Sequence, residues 1–304
     1  MKQIKLGGVL PAGAISLGCM RISGLSVTDA SKLINTAREE GINLFEHADI
    51  YGGGRSEEIF SQAIGMTASV RERIYLQTKC GICPGCYDFS AEHIVSSVEK
   101  SLKRLRTDYL DILLLHRPDT LMEPELVAEA FELLHRSGKV RYFGVSNCNP
   151  MQIELLQKYL RNPLLIDQLQ LSAAHTGMLD AGIYVNTKNQ EGVMRDGSIL
   201  EYCRLKEITI QAWSPFQYGM FEGTFLGNDK FRQLNEKLEQ IAVRYGVTST
   251  AAAAAFLLRH PAKIQVIAGT TNPNRLKEIC QADTFELTRK EWYEIYCAAG
   301  HTLP

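Results

Sequence analysis

Residues 73–116 decide the predicted fold, and they read RIYLQTKCGICPGCYDFSAEHIVSSVEKSLKRLRTDYLDILLLH. The segments 73–78 and 109–115 are short, apolar and strand-like, whereas 90–106 has apolar residues at helical spacing. A strand, a helix and a second strand in this order form the unit from which parallel sheets are built. The stretch therefore predicts a parallel α/β architecture.

The same alternation continues in both directions along the chain. The predicted strands are 14–18, 43–46, 73–78, 109–115, 139–145, 164–170, 208–213 and 264–268. The predicted helices are 28–40, 56–65, 90–106, 123–137, 150–161, 198–206, 229–245 and 249–259. Alternating strands and helices of this number predict an α/β fold of the (β/α)8 TIM barrel type, with a doubly wound open sheet as the competing architecture. No linker or low-complexity tract divides the pattern, so we expect residues 1–304 to form a single domain.

An N-terminal β-hairpin is expected before the first barrel strand. Gln3–Leu6 and Val9–Leu10 would be its two arms, joined by Gly7 and Gly8. Lys2 and an apolar run ending at Cys19 also resemble a lipoprotein signal.

The hairpin is the favoured interpretation of this segment, because Pro11 and Gly13 interrupt the apolar run. No apolar run elsewhere approaches the roughly 18 residues that a membrane span requires. We therefore expect a soluble protein with no membrane partner.

The composition is that of an ordinary globular protein. Hydrophobic residues make up 45% of the chain, and 33 basic against 34 acidic residues give a net charge of −1. Such a balance provides no overall field to attract nucleic acid or an anionic membrane, and it favours a small-molecule ligand. The eight cysteines include several in apolar strand or helix patterns, which is typical of reduced thiols and of a cytoplasmic location.

Four polar residues, Glu46, Tyr51, Lys79 and His116, each follow a predicted strand. Because the carboxyl ends of parallel strands lie side by side, we expect these side chains to converge. A phenol has an ordinary pKa of about 10, and a nearby ammonium lowers it by favouring the phenolate. The combination suits general acid catalysis on a carbonyl oxygen. Two long connections after strands, Ala173–Gly197 and Pro215–Asn228, are expected to overhang this site.

A phosphate-binding loop is the alternative interpretation of Gly52, Gly53 and Gly54. Neither of the usual glycine fingerprints is present there or elsewhere in the chain. A tight turn into a helix capped by Ser56 is the favoured interpretation.

A metal site is an alternative for Cys80, Cys83 and Cys86, because C-x-x-C spacing occurs in zinc and iron–sulfur sites. No second C-x-x-C is present to complete four ligands, which favours a redox-active or incidental loop.

A metallohydrolase is a further alternative, with Glu46, His47, Asp49 and His116 as ligands. That interpretation leaves Tyr51 and Lys79 without a role.

Six ordered blocks resemble the signatures of the aldo-keto reductase family, and together they cover nearly the whole chain. The blocks are Phe45–Gly52, Thr78–Gly81, Leu114–Pro118, Gly144–Asn147, Ala212–Pro215 and Ile267–Glu278. The resemblance implies a (β/α)8 barrel that binds an extended nicotinamide cofactor, usually NADPH, and reduces an aldehyde or ketone. It further implies that Tyr51 is the general acid, that Lys79 lowers its pKa and that His116 orients the substrate carbonyl.

The resemblance also implies a set of cofactor contacts. They are Ser146, Asn147 and Gln168 at the nicotinamide carboxamide, Trp213 on the ring, Ser214, Pro215, Phe216 and Gly219 near the pyrophosphate, Gly269, Thr270, Thr271 and Arg275 around the adenosine 2′-phosphate, and Glu278 at the adenine. A guanidinium fits a phosphate dianion well, so Arg275 favours NADPH over NADH.

Glu46 departs from the family pattern, which has aspartate at this position. The additional methylene moves the carboxylate relative to Lys79, so catalysis is expected to be slowed or retuned. A nicotinamide-binding regulatory or sensor protein with weak reductase activity is therefore kept as the alternative function.

Overall fold

The computed structural model describes residues 1–304 and contains a closed barrel of eight parallel strands. Its strands are β1 (Gln3–Leu6), β2 (Leu10–Gly13), β3 (Ile15–Gly18), β4 (Leu44–Glu46), β5 (Tyr75–Cys80), β6 (Ile82–Cys83), β7 (Cys86–Tyr87), β8 (Leu110–Leu115), β9 (Val140–Ser146), β10 (Leu164–Gln170), β11 (Thr209–Trp213) and β12 (Gln265–Ala268). The barrel order is β3, β4, β5, β8, β9, β10, β11 and β12, and β12 pairs with β3 to close it. The barrel prediction is confirmed, and the open sheet is wrong.

Twelve helices accompany the strands, and most lie outside the barrel. They are α1 (Val27–Glu39), α2 (Arg55–Ile64), α3 (Ala68–Arg71), α4 (Ala91–Leu105), α5 (Pro124–Arg136), α6 (Pro150–Gln157), α7 (Gly177–Ile183), α8 (Ile199–Leu205), α9 (Arg232–Tyr245), α10 (Ser249–Leu258), α11 (Pro273–Cys280) and α12 (Arg289–Ala298). Helix α4 buries Ile94, Val98, Leu102 and Leu105, a spacing of three or four that makes one apolar face. The main core lies between such faces and the barrel strands.

The hairpin of β1 and β2 closes the end of the barrel at which the strands begin. Leu6 and Leu10 pack in a small core with Leu44 and Leu165, near the starts of β4 and β10. The expected second arm, Val9–Leu10, is wrong in its bounds, because Leu6 pairs with Leu10 and the turn therefore takes three residues. Val9 is at the exposed tip of that turn.

Several other predicted bounds differ from the structure. Strand β5 begins at Tyr75 and contains Lys79, so Lys79 does not follow the strand as expected. Helix α6 ends at Gln157, because the Gln157 side chain bonds the backbone of Asn162 and Leu164 and turns the chain toward β10. The sequence prediction did not include α3, α7, α11, α12 or the hairpin of β6 and β7.

Four glutamines hydrogen-bond to one another inside the barrel. Gln77 and Gln211 exchange amide bonds of 2.7 and 2.8 Å across the barrel. Gln211 also donates to Gln265 at 2.8 Å and accepts from Gln168 at 3.0 Å. Because Gln168 also approaches Glu46, this interior network connects the barrel to the polar cluster at its carboxyl end.

No single helix has the length and apolarity needed to cross a membrane; one pair, Asp229–Tyr245 with Ser249–Leu258, reaches those values only when joined across a 92° bend.

Candidate active site

The four polar residues singled out by the sequence meet at the carboxyl end of the barrel. Glu46 ends β4, and Tyr51 begins a short 3-10 turn that follows it. Lys79 is the penultimate residue of β5, and His116 comes directly after β8. The expected convergence is therefore observed, and it arises because β4, β5 and β8 are neighbours in the barrel.

The Lys79 ammonium is the centre of this cluster and is fully buried. Its Nζ donates to Tyr51 Oη at 2.9 Å and to the His47 carbonyl at 2.9 Å, and it forms an ion pair with Glu46 Oε1. The Tyr51 hydroxyl donates to the same Glu46 oxygen at 3.3 Å. Gln168 Nε2 donates to that oxygen as well, at 3.4 Å.

The pKa of Tyr51 is raised well above its ordinary value, first by burial and then by the charge and hydrogen bond of Glu46. The net direction is therefore upward, and the expectation that Lys79 by itself lowers this pKa stays a prediction. The ammonium is paired with Glu46, so the phenol is next to an ion pair and not to a free cation. Burial also lowers the pKa of Lys79 itself.

His116 is a neutral imidazole in this site. Burial, together with the charges of Lys79 and Arg117, lowers its pKa to about 2. Its ring is edge-to-face with the Tyr51 ring, at 5.9 Å between centroids. His116 Nδ1 is buried and has no hydrogen-bond partner. A neutral ring next to the phenol can donate one N–H to a ligand oxygen.

A cavity of about 940 Å³ extends over the cluster. It is lined by the sequence-predicted residues Glu46, Tyr51, His116, Ser146, Asn147, Gln168, Trp213, Ser214, Pro215, Phe216, Gly269, Thr270, Thr271, Arg275 and Glu278. Lys79 is outside the lining because it is buried beneath Tyr51 and Glu46. Gly219 is also outside it, in a turn where the Glu222 side chain folds back onto it.

One wall of the cavity is a hydrogen-bonded group of polar residues. Trp213 Nε1 donates to Asn147 Oδ1 at 3.1 Å, and Asn147 Nδ2 donates to Ser146 Oγ at 2.8 Å. Ser146 Oγ in turn donates to the Gln168 carbonyl at 2.9 Å. Asn147 has φ +60° and Ser214 has φ +50°, backbone conformations that are uncommon for residues with a Cβ and that are found at ligand sites.

A second part of the cavity lining is cationic and polar. Helix α11 begins there, and its N-cap residue Asn272 accepts from the backbone of Asn274 and Arg275. Thr270 Oγ1 accepts from the Asn272 N–H at 3.1 Å. The N-terminus of a helix with a nearby guanidinium is suited to a phosphate group.

Comparison with known proteins decides the family. The model of the Aldo/keto reductase family matches residues 14–298. This chain belongs to the aldo/keto reductase family. The resemblance found in the six sequence blocks is confirmed.

Individual relatives cover almost the whole chain. The uncharacterized oxidoreductase YcsN of Bacillus subtilis (strain 168) is 38% identical, over 100% of both proteins. The 6-dehydroglucose reductase of Agrobacterium fabrum is 34% identical, over 98% of each. The crystal structure of an aldo-keto reductase from Klebsiella pneumoniae in complex with NADPH has the same fold, with a TM-score of 0.76 at 22% identity over 97% of this chain and 93% of that one.

This aldo/keto reductase barrel also brings two arginines to the cavity that the sequence analysis did not single out. Arg21 Nη1 donates to the Gly269 carbonyl at 3.1 Å, which connects the loop after β3 to the loop after β12. Arg117 lies over the Trp213 ring, 5.7 Å from its centroid. Arg117 could have been found, because it directly follows His116 in a signature block.

The two long loops differ in their contribution. Pro215–Asn228 borders the cavity as expected, through residues such as Gln217, Phe221 and Thr224. The expectation for Ala173–Gly197 is wrong, because none of its residues lines the cavity. That segment contains α7 and packs near the C-terminal residues, where the Thr302 N–H donates to Tyr184 Oη at 3.1 Å.

The metallohydrolase interpretation does not fit the geometry of this site. His47 is fully buried against Phe60, at 4.6 Å between ring centroids, and does not join Glu46 and His116 at the cavity. Burial lowers the pKa of His47 to about 3. Lys79 fills the space next to Glu46 that a cation would need.

The glycine turn before α2 has the backbone that the favoured interpretation requires, since Gly52, Gly53 and Gly54 all have positive φ. Ser56, however, does not cap this helix. Gly54 is the N-cap residue, and Ser56 lies inside α2, where its Oγ donates to the Met20 carbonyl at 3.0 Å.

Proposed function

We propose that this protein reduces an aldehyde or ketone to an alcohol with NADPH, and that Tyr51 is the proton donor. One observation carries the proposal: the Tyr51 hydroxyl lies in the cavity, 2.9 Å from the buried Lys79 ammonium and edge-to-face with neutral His116. A proton donor, a group that stabilises its conjugate base and a donor for the carbonyl oxygen are then in one place.

Each residue has a distinct part in this proposal. His116 donates an imidazole N–H to the carbonyl oxygen and positions it at Tyr51. Tyr51 keeps its proton at neutral pH, because the ordinary phenol pKa of about 10 is further raised here, until the oxygen becomes strongly basic. The proton then passes from Tyr51 Oη to that oxygen, and the resulting phenolate accepts from Lys79 until solvent protonates it. The cofactor, when bound, supplies the hydride to the carbonyl carbon.

The residues present fit a dinucleotide phosphate. Arg21 and Arg275 line the same cavity as Thr270 and Thr271, and helix α11 starts beside them. This donor set suits an anion, and Arg275 suits a 2′-phosphate in particular. Family membership and the NADPH complex of the Klebsiella protein of the same fold support this assignment.

A titration with NADPH and with NADH tests the cofactor. Trp213 lines the cavity, whereas Trp292 is buried beside Phe256, so ligand-dependent quenching of tryptophan fluorescence reports mainly on Trp213. We expect quenching by both cofactors with tighter binding of NADPH, and Arg275→Met should remove most of that preference. Absence of binding by either cofactor would contradict the proposal.

A carbonyl panel with wild type and Tyr51→Phe tests the reaction. The panel should begin with aldehyde and keto sugars, since one relative is named 6-dehydroglucose reductase. We expect Tyr51→Phe to lower turnover by about 10²- to 10⁴-fold while leaving NADPH affinity within a few-fold of wild type. Tight NADPH binding with no turnover by wild type on any compound would instead support the sensor alternative.

A further inference from the structure

The loop between β5 and α4 contains two cysteines that face each other. Strands β6 and β7 pair antiparallel, with Cys83 directly opposite Cys86. Pro84 and Gly85 form the turn, and Gly85 has φ +79°. Two cysteines at C-x-x-C spacing on a tight turn provide the sulfur ligands of many zinc sites. Both thiols are free.

Two further potential ligands, not considered in the sequence analysis, come to the same place. Cys83, Asp88 and His93 present a sulfur, a carboxylate oxygen and a ring nitrogen that all lie within 4.8 Å of one another. Cys83 Sγ is 3.9 Å from His93 Nδ1 and 3.7 Å from Nε2. Asp88 Oδ2 is 3.8 Å from His93 Nδ1. The missing partners of the C-x-x-C motif are therefore supplied by the start of α4 and the residue after the hairpin.

These separations are near those of a tetrahedral zinc site. Zinc–sulfur bonds of about 2.3 Å and zinc–nitrogen bonds of about 2.0 to 2.1 Å place the two ligand atoms roughly 3.5 Å apart. The 3.9 Å between Cys83 Sγ and His93 Nδ1 exceeds this by only a few tenths of an ångström. An inward movement of the hairpin would close this difference and would also have to bring the Cys86 sulfur to the other three ligand atoms.

Neighbouring residues already hold two of the ligands in orientation. Ser97 Oγ lies 3.2 Å from His93 Nε2, one helical turn further along α4, which leaves Nδ1, the nitrogen 3.8 Å from Asp88 Oδ2, available to an ion. Asp88 Oδ1 accepts from the Ser90 N–H at 2.8 Å, which leaves Oδ2 toward His93. Hydrogen bonds of this kind to the second atom of a ligand are usual around bound metals.

We propose that Cys83, Cys86, Asp88 and His93 bind one Zn²⁺ ion. Two thiolates, an imidazole and a carboxylate make a set that zinc accepts, whereas Ca²⁺ and Mg²⁺ prefer oxygen ligands alone. Binding displaces the thiol protons to solvent, and no electron transfer is involved. Cys80 is buried at the end of β5 and is not part of the set. Cys86 is opposite Cys83 in the hairpin, and its sulfur lies outside the three ligand atoms that are already within 4.8 Å of one another.

The site is close to the reaction cavity but separate from it. Ile82, adjacent to Cys83, lines the cavity, whereas none of the four ligands does. A bound ion would therefore stabilise the wall formed by this loop and would not take part in proton transfer. Loss of the ion should affect the substrate KM more than it affects NADPH affinity.

Metal binding can be measured directly on the full chain. Protein reduced under anaerobic conditions and stripped with a chelator is titrated with Zn²⁺ and, separately, with Co²⁺. We expect one equivalent of Zn²⁺ to bind, a higher Tm in its presence, and the thiolate charge-transfer and tetrahedral absorption bands of Co²⁺. No stoichiometric binding by the reduced wild type would overturn the proposal, whether or not the protein proves to be a reductase.

Variants identify the ligands. Cys83→Ser, Cys86→Ser and His93→Asn are each expected to weaken Zn²⁺ binding at least about tenfold and to weaken the Co²⁺ bands. Cys297→Ser, at a half-buried cysteine on α12, is the matched control and should bind Zn²⁺ like wild type. Far-UV circular dichroism verifies that each variant is folded, and equal Zn²⁺ affinity in wild type and Cys83→Ser would contradict the assignment.

Discussion

The carboxylate of Glu46 accepts three hydrogen bonds on a single oxygen. Its Oε1 is shared by Lys79 Nζ, Tyr51 Oη and Gln168 Nε2. The bond from Tyr51 stabilises the protonated phenol and thereby opposes proton transfer. The other oxygen, Oε2, is near Gly18, where an added Cβ would be only 3.3 Å away. Glutamate, which is one methylene longer than the aspartate of the family pattern, therefore reaches both the Lys79 ammonium and the Tyr51 hydroxyl.

Glu46→Asp should speed the reaction. The shorter side chain withdraws the carboxylate from Tyr51 Oη while keeping a negative charge near Lys79, so the pKa of Tyr51 falls and the phenolate is better stabilised. We expect a several-fold higher turnover on a substrate that the parent reduces, and an alkaline limb of the kcat profile at lower pH. Steady-state kinetics from pH 6 to pH 10 would check this. Glu46→Gln serves as the control and should not reproduce the gain; unchanged or lower turnover in Glu46→Asp would contradict the prediction.

Asp167 is a second residue whose environment sets its protonation state. It is fully buried next to Gln168, and burial raises its pKa to about 8, an effect that the backbone N–H groups of Cys148 and Asn147 reduce but do not cancel. The pKa of Asp167 is higher in the folded protein than in the unfolded one, so its protonation stabilises the fold. This contribution to the free energy of unfolding is complete below about pH 4 and is lost as pH rises toward 8.

Asp167→Asn should remove this pH dependence, because asparagine stays neutral. Relative to wild type, the variant's free energy of unfolding should increase by on the order of 3 kcal/mol between pH 5 and pH 8. Urea unfolding at the two pH values measures the difference. If the free energies of unfolding of variant and wild type differ by the same amount at pH 5 and at pH 8, Asp167 is ionised in the folded protein at both pH values.

At the scale of elements, the interior glutamines connect β5, β10, β11 and β12. Gln211 is the shared partner, since it exchanges bonds with Gln77, donates to Gln265 and accepts from Gln168. Removing one amide from a buried network leaves its neighbours without partners, which is more costly than the loss of one bond.

Gln211→Met should therefore destabilise the barrel although its volume is nearly unchanged. We expect the free energy of unfolding to fall by about 2 to 5 kcal/mol, because up to three amides lose a partner. Denaturant unfolding at pH 7 provides the measurement. Gln240→Met, on the exposed side of α9, is the control and should change stability by less than about 0.5 kcal/mol. Similar effects of the two substitutions would count against the network.

The elements that sequence periodicity missed are short or begin with cap signals that it does not detect. Helix α11 starts with Asn272 as N-cap and Pro273 at its first position, and α12 starts with a capping box of Thr288 and Glu291. These signals are readable in the sequence and could have found both helices. The two-residue strands of the Cys83–Cys86 hairpin are too short to show any period, so only the structure reveals their pairing.

At the scale of the whole molecule, the hairpin of β1 and β2 closes the barrel, and one glycine makes this possible. Gly7 has φ +55°, and a Cβ there would be 2.3 Å from Leu165 Cγ. Gly8, next to it, has φ +73°, but a Cβ would meet only the Glu207 carboxylate, at 3.6 Å. A residue with a Cβ has an unfavourable positive φ at either position. Only at Gly7 does the added Cβ also collide with a barrel residue, Leu165.

Gly7→Ala should be more destabilising than Gly8→Ala. Both variants lose about 1 to 2 kcal/mol from the left-handed backbone, and Gly7→Ala should lose roughly 1 to 3 kcal/mol more because it displaces Leu165. Thermal unfolding of the two proteins gives the difference directly. Equal Tm values would mean that Gly7 does not contact Leu165.

We further propose that residues 1–304 form a single domain. Each of these proteins should therefore unfold in one transition.

The sequence by itself determined the barrel and the identity of the residues at its carboxyl end. Both depend on local information, namely the alternation of strand and helix periods and the position of polar residues in or just after strands. Only the tertiary structure decided that Glu46 bonds Tyr51 as well as Lys79, that burial and Glu46 raise the pKa of Tyr51, and that His93 and Asp88 approach Cys83. The reason is physical: charge pairing, burial and ligand geometry depend on distances between side chains that folding brings together, and such distances leave no periodic trace in the chain.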